Sequence, residues 1–215
     1  MQNPSKIMAI AAGRNPKVDK VPAVHQSEGK RLLGEALKHF KDDDHFRRNI
    51  EECFFGQRFI LVEGREEAEL LPYTADLLKL SHDSCAIIDC GSKYNLHHYM
   101  ETLNKLGLSY VVVHDGDPLP TSPSVPSSAQ MDIFNENDRI AKCAQLNPAN
   151  LVLISNPNLD SVAEIERGPK GPFSIRETFG HRVARGIPAR LKDLVEKAFG
   201  AQWTVKDYQA TVISI

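Results

Sequence analysis

Four short apolar runs punctuate the middle of the chain: 59–62 (FILV), 86–88 (AII), 110–113 (YVVV) and 151–154 (LVLI). Each is too short for a helix and apolar throughout, as a strand buried on both faces would be. Between them, apolar residues recur at helical spacing over 65–81, 95–106 and 135–145. Strand and helix in alternation predict βα units around a parallel sheet. Pro72 falls inside the first of these helices, so a kink or a late start is expected there. Segment 118–130 (PLPTSPSVPSSAQ) has no apolar periodicity and reads as a loop. Two further helices are predicted at 173–181 and 188–199, with Pro188 in the first turn of the second and Gly200 just past its end.

Ahead of the first strand the pattern is different. Residues 1–30 are rich in Lys, Pro, Asn and Gly and read as a tail or connector. From 29 to 55 helical spacing returns (Leu32, Leu33, Ala36, Leu37, Phe40, then Phe46, Ile50, Cys53), broken by Asp42-Asp43-Asp44, which predicts two helices. The expected organisation is a connector and helical segment at 1–57, an α/β core at 58–157 and a helical, basic extension at 158–215. No internal repeat is visible.

Composition narrows the picture. The chain has 215 residues and 41% apolar content, enough for one main domain with a sizeable core. No apolar run reaches membrane-spanning length and residues 1–14 lack the layout of a signal peptide, so a cytoplasmic protein with no membrane partner is expected. The four cysteines (Cys53, Cys85, Cys90, Cys143) contain no CxxC and no zinc spacing, so they read as reduced and structural. Net charge is −2, but unevenly spread: 58–101 carries eight acids against four bases, and 167–192 carries seven bases against Glu177 alone. An acidic pocket beside a basic stretch suits a protein holding metal ions and a phosphate backbone together, although a solvated helix face has the same composition.

The acids fall at informative places. In a parallel sheet ligands gather at the carboxyl ends of strands. Glu63 follows the first strand, Asp89 closes the second, and Asp115 and Asp117 follow the third. Glu67, four residues beyond Glu63, shares its face if the chain coils there. Gly64 is expected to allow a sharp turn, and Gly116 a close approach of backbone to a ligand. Three elements thus deliver five carboxylates toward one region, where they would repel one another without cations. Oxygen ligands without His or Cys favour Mg²⁺ or Mn²⁺, and two such ions roughly 4 Å apart can activate a water and stabilise the leaving oxygen of a phosphodiester. Singly each acid has a bland reading, a loop cap or helix cap.

The run RFILVEGREEAELL, with YVVVHDGDP some fifty residues after Glu63, resembles the Toprim fold of topoisomerases, bacterial primases, recombination proteins and some nucleases. Within that group it is most similar to the C-terminal nuclease region of the OLD (overcoming lysogenization defect) family. FFGQRFILVEG, GSKYN after strand two, HDGDP, NENDRIA and a later Lys-Gly-Pro-Phe ahead of an Ile-Pro-x-x-Leu helix carry that similarity, over about residues 45–200. The resemblance implies a Toprim (Rossmann-like), mostly parallel sheet flanked by helices, with additional N- and C-terminal helices, and a Mg²⁺/Mn²⁺-dependent DNA endonuclease using two metals. Glu63 and Glu67 match EGxxE, Asp115 and Asp117 match DxD, Asp89 fits an acid near the end of strand two, and Lys170 matches a lysine acting on the transition-state phosphate. By itself Lys170, between glycines, is an ordinary loop cation.

One stretch departs from the pattern. Relatives place an acid in an EPDFE-like run after the fourth strand, whereas this chain has SNPNLD; Asp160 would substitute, or Ser155 and Asn156 would coordinate through neutral oxygens. Full OLD-family proteins carry an ABC-type ATPase ahead of the nuclease, and no GxxxxGK[ST] occurs here. The chain is then a fragment beginning after that ATPase or a stand-alone nuclease, and the irregular connector favours the fragment. Other readings are a Toprim module that clamps DNA without cutting it, or a primase or topoisomerase activity, for which the chain offers no evident room. His97-His98 has spacing for one surface ligand at most, His114 reads equally as a partner behind Asp115 or as a packed residue, and Trp203 and Tyr208 read as core anchors rather than base-stacking platforms.

Overall fold

The computed structural model describes residues 58–83, 85–105, 107–118, 126–147, 149–166, 175–183, 185–200 and 211–214. The expected connector and helices at 1–57, Lys170, Trp203 and Tyr208 lie outside the described residues. The elements run β1 (Arg58–Val62), α1 (Arg65–Leu77), β2 (Cys85–Asp89), α2 (Lys93–Lys105), β3 (Tyr110–Asp115), α3 (Ser128–Ala144), β4 (Leu151–Ser155), α4 (Leu159–Ala163), α5 (Ile175–Val183), α6 (Ala189–Phe199) and β5 (Thr211–Ser214).

The strands form one parallel sheet in the order β2-β1-β3-β4-β5. The four predicted strands are all present; β1, β3 and β4 are almost wholly buried, and β2, at the sheet edge, is half-buried. Alternate residues feed two separate cores. Ile60, Val62, Val111, Val113 and Leu153 face one shared with α1, α5 and α6, while Phe59, Leu61, Tyr110, Val112 and Val152 face another shared with α2 and α3. Described residues after 157 share this packing: Leu159, Val162, Phe179, Leu191, Leu194 and Val195 are fully or almost fully buried in the first core.

The connections leave the sheet in opposite senses. From β1 the chain passes through α1 on one face to β2; from β3 it passes through α3 on the other face to β4. The carboxyl ends of β1 and β3 are therefore neighbours at a topological switch point, where the diverging loops leave a crevice.

Three expectations need correction. Pro72 neither delays nor breaks α1, which runs continuously through it, with Leu70, Leu71, Thr74 and Ala75 buried on either side. Residues 128–130 are helical, because Ser127 caps α3: its hydroxyl accepts from the Gln130 N–H at 3.3 Å while Gln130 Oε1 accepts from the Ser127 N–H at 2.9 Å. Pro188 stands at the N-cap of α6 rather than inside its first turn. Among the described residues Cys85, Cys90 and Cys143 form no disulfide, and no helix is long and apolar enough to cross a membrane.

Candidate metal centre

The switch-point crevice receives Glu63 from the end of β1, Glu67 from the first turn of α1, and Asp115 and Asp117 from the end of β3. These are four of the carboxylates anticipated from sequence, and they act on one another. Burial is the main force pushing Glu67 up to about 8 and Asp115 up to about 7; the charges of Asp115 and Glu63 add to the first shift, and those of Glu63 and Asp117 to the second. Glu63 is also raised, first by burial and further by Asp117. Such mutual destabilisation of charge is what a bound cation relieves.

Each carboxylate rests on an internal donor. Glu63 Oε2 accepts from the Asp115 N–H at 3.2 Å, and Glu67 Oε2 from the Gly64 N–H at 3.0 Å. Asp115 Oδ1 accepts from the Leu159 N–H at 2.7 Å, and Asp117 Oδ2 from the Lys93 ammonium at 2.7 Å. Among the described residues no three Asp, Glu, His or Cys side chains stand where one ion would touch all of them. The donor set nevertheless fits a hard divalent cation: four partly or largely buried carboxylates from three elements, with no thiolate. An orphaned oxygen supports the fit. Ser155 is fully buried, lies beside Asp115 in the β3–β4 register, and its hydroxyl has no partner. A buried hydroxyl without a hydrogen bond calls for a further ligand or a water.

The other anticipated residues are placed differently. Asp89 pairs with Val62 in the β1–β2 register, and its carboxylate accepts from the Gly91 N–H at 2.8 Å, a turn within the loop ahead of α2. Asp160 lies in the first turn of α4. Of the basic stretch, Arg190 donates to the Asn156 carbonyl in the turn after β4, and Arg182 is ion-paired with Glu164. The Arg182 side belongs to a cavity of about 690 Å³ lined by Glu164, Glu177, His181 and Arg185, to which none of the four carboxylates contributes.

The turn that carries Asp117 is tightly made. Gly116 and Asp117 both donate to the Pro157 carbonyl, at 3.1 and 3.0 Å, and Asn137 Nδ2 from α3 donates to the Gly116 carbonyl at 2.8 Å. A Cβ on Gly116 would lie 3.3 Å from Ile154 Cγ2 and 3.4 Å from the Pro157 carbonyl oxygen, so a side chain there would crowd the β4–α4 turn. Gly64 is extended (φ −158°) and needs no glycine freedom, contrary to expectation. Asp117 itself has φ +43°, a left-handed conformation that Asp tolerates better than most residues.

His114 is packed: it is 1% exposed, its Nδ1 donates to the Asp115 carbonyl at 2.7 Å, and burial lowers it to about 4, which keeps the ring neutral. His97 is no surface ligand, being buried against Glu136 at 2.7 Å. The residue that sequence reasoning passed over is Lys93, noted only as part of GSKYN. It stands four residues beyond the end of β2, and nothing in its sequence surroundings signals the role.

Residues 54–117, which span β1 to the end of the DxD motif, match the model of the overcoming lysogenization defect protein-like TOPRIM domain. This segment resembles an OLD-like TOPRIM domain. Over 203 residues, 89% of its length, the chain is 26% identical to an OLD nuclease of Thermus scotoductus, and it spans 38% of that relative's length. The TOPRIM segment contains Glu63, Glu67, Asp89, Lys93, Asp115 and Asp117, whereas Ser155, Asn156 and Asp160 come from beyond it.

Proposed function

We propose that the chain is the nuclease portion of an ATPase-nuclease protein acting on DNA in the cytoplasm, hydrolysing phosphodiester bonds with Mg²⁺ or Mn²⁺. The observation that carries this reading is the convergence of Glu63, Glu67, Asp115 and Asp117 at the switch point, where burial and then neighbouring carboxylates raise Glu63, Glu67 and Asp115. The similarity to an OLD nuclease supports a nucleic acid as the substrate class. An ABC-type ATPase would be a partner domain outside this chain.

Glu63, Glu67, Asp115 and Asp117 would hold the cations, with Ser155, Asp89 and Asp160 as the further oxygens available for a two-ion site. Bound there, the metal supplies Lewis-acid stabilisation of phosphate charge and an activated water. The chain's own residues do the placing. Asp115 is fixed by the Leu159 N–H, and its own N–H fixes Glu63, so two carboxylates from different strands are held at one separation. The Pro157 and Asn137 contacts fix the Gly116–Asp117 turn in the same way. Lys170 would place positive charge on the transition-state phosphate. No base-reading element is evident, so affinity for DNA would come from phosphate contacts and fall with salt.

Supercoiled plasmid incubated with Mn²⁺ or Mg²⁺, against a chelator control, tests the reading. Metal-dependent nicked or linear product that disappears in Asp115→Ala is the expected result. Plasmid that is retarded on the gel but intact would instead support a DNA clamp, and resealed topoisomers a topoisomerase.

A further inference from the structure

Lys93 breaks two local rules at once. It is the first residue of α2, where the helix dipole disfavours a cation, and the first turn of that helix contains no acid to offset it. Its side chain is only 3% exposed, and a buried ammonium is costly unless paired. Local rules broken together in this way occur where a site requires it.

The compensation comes from the site. Lys93 Nζ donates to Asp117 Oδ2 at 2.7 Å across 24 residues of sequence. Its charge also opposes the upward shifts of Glu63 and Asp115, so it lies within electrostatic reach of three of the four carboxylates. Asp117, by contrast, is 40% exposed and held at φ +43°, a conformation whose cost must be met by its contacts.

We propose that Lys93 is the resident cation of this centre, a positioning residue that holds Asp117 when no divalent ion is bound and competes with the incoming ion for that carboxylate. The proposal rests on the metal-site reading above and deepens it. Lys93 thereby sets the divalent-ion concentration at which the centre loads, and keeps the DxD turn in its binding conformation until then. A lysine with a merely structural role would have the opposite signature, since its loss would disorder Asp117 and weaken metal binding.

Calorimetric titration of the full chain with MnCl2 separates these outcomes. Lys93→Met removes the competing charge and is expected to bind Mn²⁺ at least about tenfold more tightly than the parent, a modest share of the interaction between charges a few ångströms apart. Lys93→Arg, which keeps the charge, is expected to stay near the parent. In Lys93→Met/Asp117→Asn the gain should vanish, because the contested carboxylate is gone. Should the Met variant not fold, Lys93→Gln takes its place with the same expectation. Mn²⁺ binding by Lys93→Met that is equal to or weaker than the parent's overturns the proposal while leaving the metal site standing. Absence of Mn²⁺ binding by both the parent and Lys93→Met overturns the metal site and the proposal together.

Discussion

The main-chain N–H of Asp115 donates to Glu63 Oε2 at 3.2 Å, joining the ends of β3 and β1 where the sheet's connections diverge. A backbone donor on one strand thus sets the position of a carboxylate on its neighbour. The Glu63 carboxyl needs an acceptor oxygen for this bond, whereas its negative charge is opposed by burial and by Asp117. Glu63→Gln keeps the oxygen and removes the charge. In chelator it is expected to melt within about 2 °C of the parent or above it, since surface and site changes without lost packing move stability little. A clear fall in melting temperature would show that the charge itself holds the two strands together.

Stability of the metal-free protein should depend on pH with a definite sign. Glu67 and Asp115 have folded values raised to about 8 and about 7, above their ordinary 4.5 and 3.8, so the folded state binds protons that the unfolded state has released. Their contribution to stability is present at low pH and is lost as pH rises through the folded values. Thermal denaturation in chelator is expected to show a declining melting temperature from about pH 6 to about pH 8.5, and Mn²⁺ should flatten or reverse the slope because it binds the deprotonated carboxylates. A melting temperature that rises across this range without metal would contradict the burial of these groups.

Gly116→Ala places a methyl 3.3 Å from Ile154 Cγ2 and 3.4 Å from the Pro157 carbonyl oxygen. Overpacking of this kind costs about 1–3 kcal/mol. Because the same turn carries Asp117, weaker Mn²⁺ binding should accompany the lower melting temperature. Loss of stability with unchanged Mn²⁺ affinity would detach the turn from the site.

Glu136→Ala removes the buried partner of His97 between α2 and α3, a hydrogen bond of 2.7 Å with both residues less than a tenth exposed. Leaving a buried donor unmet is expected to cost about 2 kcal/mol by urea denaturation. This pair links the two helices that supply Lys93 and Asn137, so its loss should loosen both contacts to the Gly116–Asp117 turn. Wild-type stability in this variant would mean that solvent readily replaces the carboxylate.

The sheet was legible because burial on both faces leaves uninterrupted runs such as FILV and YVVV, and the acids followed because strand ends are where such runs stop. Elements whose residues are not organised by burial were harder to read. The first two turns of α3 expose Met131 and Phe134, so no apolar stripe announces them before Glu136 and Ile140 become buried. Helix α4 is five residues long, too short for a period, and β5 owes its strand to pairing with β4. Lys93 was invisible for a different reason. Its meaning lies in a contact with Asp117 that only the crossing of β2 past β1 to β3 creates, whereas in sequence it is one lysine in a helix-opening GSK.

The claim on which the rest depends is that carboxylates at the β1 and β3 ends form one metal centre. Electron paramagnetic resonance of free Mn²⁺ measures this without DNA or turnover. Titrating the parent, Glu63→Gln and Asp115→Asn at about pH 8, where the deprotonated forms of both raised acids become accessible, the parent should deplete the free-ion signal and each variant should bind at least about tenfold more weakly. Equal depletion by parent and variants would place the ion elsewhere and contradict the account.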